Sequence, residues 1–271
     1  MKLSVIITTY NSEEWLKKVL FGYLNQTETD FEVVVADDGS TEKTKLVIDS
    51  FSPKFKYKIV HVWQEDKGFQ KCKILNKAIL KTNSDYLLFT DGDCIPREDF
   101  VATHLKHKEK GFFLSGGYFK LPFETSHIIE EKDIISKQCF NLFWLAKNGV
   151  KTNFKLTKLI RFKPFTIFMN WITPTKKTFN GHNTSCFKED LIAVNGFNED
   201  MQYGGLDREI GERMFNLGIR SKQIRYSAIC LHLEHARSYF SKEKFLENSK
   251  IREFNIKNKV ISTKNGLNQY V

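Results

Sequence analysis

The sequence predicts an α/β fold organised on a doubly wound, mainly parallel sheet with helices on both faces. Three observations carry this. Apolar, β-favouring runs alternate with helical patterns as β-α-β-α-β-α-β over the first 93 residues. Three of these strands end in polar clusters: Thr8-Thr9-Tyr10-Asn11, Asp37-Asp38-Gly39-Ser40 and Thr90-Asp91-Gly92-Asp93. Neither G-x-G-x-x-G nor G-x-x-x-x-G-K-[ST] follows the first strand, which disfavours a dinucleotide site or a P-loop. In a parallel sheet the three carboxyl ends lie side by side, so Thr8, Tyr10, Asp37, Asp38, Asp91 and Asp93 are expected to converge on one crevice.

Each element has its own signal. Residues 2–9 form a short apolar run. Ser12 is placed to cap the helix that follows, with Glu13 and Glu14 in its first turn and Trp15, Leu16, Val19, Leu20 and Tyr23 at helical spacing. Residues 31–36 make the second strand, 44–51 a helix, 57–63 the third strand and 68–80 another helical pattern. The fourth strand, Tyr86-Leu87-Leu88-Phe89-Thr90, delivers two carboxylates separated by Gly92, where a glycine would let a phosphate or sugar approach the backbone. Two acids at that spacing can share a hard divalent cation; the plainer reading is a D-G-D surface turn.

Beyond residue 96 the pattern loosens. Residues 112–119 read as one strand, and 124–148 as helix with Ile128, Ile129, Ile134, Ile135 and Phe140 as an apolar set. Residues 150–179 interleave Lys and Arg with Phe154, Phe162, Phe165, Phe168 and Trp171. This is either a loop with ordinary packing aromatics or a basic, aromatic face for an acceptor or an anionic lipid surface. Residues 224–233 read as a last strand ending at His232 and His235, and 238–271 as a helix with a frayed end. Asp207 falls at the start of a helix closed by Gly218, as a first-turn acid or a general base.

The totals narrow the class. A 271-residue chain, 41% hydrophobic and 27% charged, can bury a core. A net charge of +10 favours anionic partners. No helix-turn-helix or zinc-finger pattern supports nucleic acid. Five scattered Cys without C-x-x-C point to free thiols in a reducing compartment. The opening residues read as a strand rather than a signal peptide, and no run of 18 apolar residues is present. A cytoplasmic protein, peripheral at most at the inner face of the membrane, is expected.

Taken together, VIITTYN, VVADDGS and TDGDC resemble a family 2 glycosyltransferase of the Rossmann-like GT-A fold. The segment 180–237 is similar to the beta-1,4-galactosyltransferase type through G-x-N-x-S, V-N-G-F, GG-x-D and H-x-x-H-x-R. The resemblance implies one catalytic domain over 1–240: a nucleotide-sugar half at 1–120, a variable acceptor- or membrane-facing insert at 121–177, and an acceptor half at 178–240. A helical tail follows at 241–271. It implies that Thr8, Tyr10 and Asp37 or Asp38 hold the nucleoside, and that Asp91 contacts ribose or metal. Asp93, His235 and His232 would bind Mn2+ or Mg2+. Asp207 would be the catalytic base, with Gly181, His182, Asn183 and Gly205 on the sugar and acceptor side.

Two departures stand out. Leu206-Asp207 replaces a usual Glu-Asp, and Leu75-Asn76 replaces a usual Arg-Asn, with Lys73 as the candidate for the missing positive charge. The expected function is inverting transfer of a hexose from a UDP-sugar to a glycan or lipid-linked glycan, in surface polysaccharide synthesis. A sugar nucleotidyltransferase would want a glycine-rich basic loop where TTYNSEEW stands. A non-catalytic carbohydrate-binding protein on the same fold would be marked by loss of Asp93 or Asp207, and both are present.

Overall fold

The computed structural model describes residues 1–176, 178–235 and 241–271. Lys177 and Arg237, the last residue of the H-x-x-H-x-R motif, lie outside them. The strands are β1 (Leu3–Thr9), β2 (Phe31–Asp37), β3 (Val60–Trp63), β4 (Tyr86–Asp91), β5 (Cys94–Pro96), β6 (Phe112–Ser115), β7 (Gly117–Lys120), β8 (Thr184–Phe187), β9 (Arg220–Gln223) and β10 (Ile229–His232). Seven of them form one sheet in the order β3-β2-β1-β4-β8-β6-β9. The first four are parallel, β8 runs antiparallel to both neighbours, and β9 is parallel to β6. This is the doubly wound, mainly parallel α/β sheet expected from the sequence.

The period-2 pattern of the strands builds two cores. Leu3, Val5 and Ile7 of β1, Val33 and Val35 of β2, and Leu88 of β4 face the helices Glu13–Leu24 and Glu42–Phe51. Ile6, Val34, Ala36, Leu87 and Phe89 face the helices Lys71–Lys81 and Leu206–Asn216. Successive side chains of a strand point to opposite faces, so one apolar run serves both layers. Ser12 occupies the N-cap position of the first helix, yet its side chain makes no capping bond there.

Three sequence readings give way to tertiary structure. Residues 112–119 are two strands, β6 and β7, and residues 224–233 are a turn followed by β10. In both places the chain leaves the large sheet and joins a small one, β5-β10-β7, built from strands of three and four residues. Residues 124–148 break into short helices, Phe123–Ile128, Glu131–Ile135 and Leu142–Lys147; Ile129, Ile134 and Phe140 are buried while Ile128 and Ile135 are exposed. The segment after the helix Lys242–Lys257 does not fray. Leu267 is buried, its N–H donates to the Asn195 carbonyl at 3.0 Å, and Asn195 Nδ2 donates to the Thr263 carbonyl at 2.8 Å.

Candidate active site

The small sheet explains how residues far apart in sequence meet. In β10, His232 pairs with Cys94 of β5, and the Leu233 N–H donates to the Asp93 carbonyl at 2.8 Å. This register sets His232 Nε2 3.7 Å from Asp93 Oδ2, while His235 Nε2 lies 2.8 Å from the same oxygen. His232 Nδ1 donates to the Leu233 carbonyl at 3.0 Å, which leaves the Nε2 lone pair turned toward Asp93. A carboxylate oxygen flanked by two imidazoles is a donor set that suits Mn2+ and accepts Mg2+ less readily. Cys94 Sγ also approaches, donating to Asp93 Oδ1 at 3.4 Å. Asp93, Cys94 and His232 offer ligand atoms that all lie within 4.8 Å of one another, so the thiol stands at the edge of the same donor set.

At the ends of β1 and β4 lies a second cluster. Thr8 Oγ1 donates to Asp91 Oδ1 at 2.7 Å, and Lys71 Nζ donates to the same oxygen at 2.6 Å. Burial alone would raise the Asp91 carboxyl, but the Lys71 ammonium outweighs it, with help from His182 and Thr8, and holds the acid well below the usual carboxylate range. Burial likewise pulls Lys71 down, yet Asp91, Asp207 and Asp93 together keep it above its ordinary value. Lys71 is therefore the cation of this site, and the sequence reading placed it wrongly on Lys73. Lys73 instead lines a hollow with Glu199, Asp200 and Gln269. The helix phase explains the difference. Lys71 is four residues before Leu75 and shares its face, whereas Lys73 is two residues away and points elsewhere.

Asp207 comes from the other side. Gly205, with a φ of 81°, turns the chain into the helix Leu206–Asn216, and Asp207 sits in its first turn without capping it. A Cβ on Gly181 would stand 2.5 Å from Asp207 Oδ1, so only glycine permits this approach. Asp207 Oδ1 is buried and has no hydrogen-bond partner among the described residues. Burial raises its pKa; Lys71 and the Gly181 N–H oppose the rise, and Asp91 adds to it. A buried carboxylate oxygen without a donor is poised to receive a proton. The helix is held by Arg213, fully buried, whose guanidinium pairs bidentately with Glu209 at 2.7 and 2.8 Å and donates to the carbonyls of Val194 and Gly196.

The remaining candidates divide. His182 stays with the site: its Nε2 is buried without a partner, and burial lowers it to about 4, so the ring is neutral at pH 7. Asn183 does not. Its Nδ2 donates to the carbonyls of Gly117 and Ala228 at 2.7 and 3.1 Å, and its Oδ1 accepts from His104 Nε2 at 2.9 Å. His104 Nδ1 then meets Ser185 Oγ at 2.7 Å, which lies 2.9 Å from the Tyr86 hydroxyl. In G-x-N-x-S, then, Asn183 and Ser185 form a buried polar network that joins strands, and no group of Asn183 is left over for a sugar. Asp37 is also committed to structure, bonded to the Ser40 N–H at 2.8 Å and to His61 at 2.9 Å.

Asp38 accepts from Gln64 at 2.6 Å and from the Gln70 N–H at 2.9 Å, and burial raises it while Asp66 and Lys71 act on it from the crevice. Tyr10 is half exposed, its hydroxyl donating to Asp66 at 2.7 Å. Gly92 serves the sheet: a Cβ there would meet the Thr8 carbonyl at 2.9 Å, and its N–H donates to that oxygen.

The mainly parallel sheet, with Asp91, Asp93 and Asp207 gathered at its strand ends, has the fold of the GT-A class of glycosyltransferases. The chain belongs to glycosyl transferase family 2, whose model matches residues 4–179, and a model described as the N-terminal domain of galactosyltransferase matches residues 168–236. It is 28% identical over 262 residues to the uncharacterized glycosyltransferase YfnE of Bacillus subtilis (strain 168), covering 87% of this chain and 65% of that protein. It is 29% identical over 233 residues to the chondroitin synthase of Pasteurella multocida (strain Pm70), covering 80% of this chain and 23% of that one. The chain thus spans under two thirds of the length of these relatives.

In fold it is similar to S. aureus TarS in complex with UDP-GlcNAc, at a TM-score of 0.65 and 19% identity over 95% of this chain and 67% of that chain. It is also similar to the mannosyltransferase PcManGT from Pyrobaculum calidifontis in complex with GDP-Man and Mn2+, at 0.56 and 19% over 88% and 58%. No helix among the described residues is long and apolar enough to cross a membrane.

Proposed function

We propose that this chain transfers a hexose from a UDP-sugar to a hydroxyl of a glycan or lipid-linked glycan, with inversion at the anomeric carbon. The observation that carries the reading is Asp207 Oδ1, buried, partnerless and next to Gly181 at the acceptor end of the carboxylate cluster. As general base it takes the proton of the attacking hydroxyl. Lys71 keeps Asp91 ionised and offsets part of the rise that burial imposes on Asp207, and Asp91, held by Thr8 and Lys71, would contact the ribose. Tyr10 and Asp38 flank the nucleoside end, with Tyr10 offering an exposed ring face to the base. Asp93, His232 and His235 would hold Mn2+ or Mg2+, which supplies Lewis-acid neutralisation of the leaving diphosphate. A single base and no paired nucleophile support direct displacement.

Residues 1–240 would make up the catalytic domain, with 121–177 facing the acceptor or a membrane. The helix Lys163–Ile172 supports the membrane contact: Ile167, Phe168 and Trp171 form its outward stripe, flanked by Arg161 and Lys163. Such a basic, aromatic face suits the inner, anionic surface of a cytoplasmic membrane and an acceptor in polysaccharide synthesis.

The test is the melting temperature with UDP, GDP and their sugars, each with and without Mn2+. A metal-dependent rise with UDP and one UDP-hexose is expected. A rise with GDP alone would overturn the donor, and no rise with any nucleotide would overturn the enzyme.

A further inference from the structure

A second hollow of about 340 Å³ opens beside the donor crevice, and its lining is basic. Lys158, Lys176, Arg208, Arg225 and His182 face it with Tyr118, and no Asp or Glu lines it. Lys176 and Arg208 are exposed at its mouth, while Lys158 and Arg225 are partly withdrawn from water. Arg225 Nε is buried without a hydrogen-bond partner, and burial pulls the guanidinium below its ordinary value. Burial lowers Lys158 too, and the like charges of Arg225 and Lys155 lower it further.

The hydrogen bonds these groups make are to neutral oxygens. Arg225 Nη2 donates to the Lys176 carbonyl at 2.9 Å, and Lys158 Nζ donates to the Tyr118 carbonyl at 3.2 Å. Arg208 lies in the field of Asp207, but Lys158, Lys176 and Arg225 have no carboxylate partner among the described residues. Converging, partly desolvated cations are costly for a lone chain, and an anion bound between them removes the cost. The position says which anion. His182 and Arg208 are the chain neighbours of Gly181 and Asp207, so the hollow adjoins the carboxylate that would take the acceptor's proton.

We propose that this hollow binds an oxyanion of the acceptor, and that the acceptor is an acidic glycan carrying phosphodiester or carboxylate groups. The inference rests on the reading of Asp207 as the acceptor's base. It is tested by titrating the full chain, with and without UDP and Mn2+, with three oligosaccharides of similar length: a glycerol-phosphate oligomer, a glucuronate-containing oligosaccharide and a neutral one. An acidic probe is expected to bind at least about tenfold more tightly than the neutral one, as charge-assisted bonds to a buried guanidinium allow. The K158Q/R225Q variant should lose this preference while keeping the wild-type melting shift with UDP. Should R225Q not fold, K158Q/K176Q, which changes no fully buried side chain, carries the same expectation.

Preference for the phosphodiester probe identifies phosphate as the ligand group; preference for the glucuronate probe identifies carboxylate. Equal binding of all three probes overturns the proposal, as does a preference that survives the variants or displacement of the acidic probe by UDP. Absence of any nucleotide-induced melting shift in the wild type would defeat the donor assignment instead, and the titration without UDP would still decide the hollow.

Discussion

The donor half and the insert use apolar residues in opposite directions. In β1, β2 and β4 every large apolar side chain is buried, shared between two cores on either side of the sheet. In the helix Lys163–Ile172 the apolar stripe faces out: Ile167, Phe168 and Trp171 are 66%, 50% and 80% exposed. The face that docks is mixed: Thr166 and Met169 are its buried residues, Phe165 packs edge-on against Tyr226, and Asn170 supplies the hydrogen bonds. Asn170 Nδ2 donates to Ser227 Oγ at 2.9 Å, its Oδ1 accepts from the Tyr226 N–H at 2.8 Å, and Gln223 Nε2 donates to its carbonyl. Apolar periodicity therefore reveals an amphipathic helix but not which side meets the protein. Where the partner surface offers backbone groups and hydroxyls beside a tyrosine ring, a side carrying Asn170, Thr166 and Met169 docks, and the stripe of Ile167, Phe168 and Trp171 is left for another surface.

That contrast predicts that substitutions at the carboxylate cluster and the buried pair behind it cost chemistry or folding, and those in the outward stripe of the insert cost neither. The largest effect is expected for Asp93→Ala, which removes the oxygen shared by His232 and His235. Turnover should no longer respond to Mn2+, and an unchanged metal titration would break the assignment. Next, Asp207→Asn should lower turnover by about 10²–10⁴-fold, as loss of a general base does. Its melting temperature should not fall. Burial raises this acid's pKa in the folded state, so its ionised form at pH 7 opposes folding and an amide relieves it. The same direction fixes the pH profile: the acid limb of kcat/KM should lie above the ordinary aspartate value, and that limb should vanish in Asp207→Asn.

Arg213→Ala leaves Glu209 buried without its cation and should destabilise by about 3–5 kcal/mol in denaturant unfolding. At the small end, the double variant Phe168→Ser and Trp171→Ser should change stability by only about 0.5 kcal/mol, the range for exposed sites. It should weaken binding to vesicles of anionic lipid; a loss of several kcal/mol would show that the stripe belongs to a core after all.

Legibility followed the size of the local signal. Strands of six or seven apolar residues were readable, and so were the acids at their ends. The small sheet was not, because strands of three and four residues carry too few alternations to register. Lys71 could have been found by turning the helix through 100° per residue from Leu75; Lys73 fails that count. Asn183 could not have been excluded in advance, because a motif asparagine that holds strands together and one that holds a sugar read alike. Nothing in the sequence alone gathers Lys158, Lys176, Arg208 and Arg225 around one hollow either.

By itself, then, the sequence determined the layered α/β sheet, the helices of its donor half and the carboxylates at the strand ends. Those follow from local periodicity, which needs no partner. Tertiary structure alone decided that His232 and Asp93 stand across a short ladder, that Lys71 rather than Lys73 balances Asp91, that Asp207 Oδ1 is buried without a donor, and that an apolar stripe faces outward. Each of these is a relation between segments distant in sequence, set by register and burial, and neither is encoded in the residues of one segment.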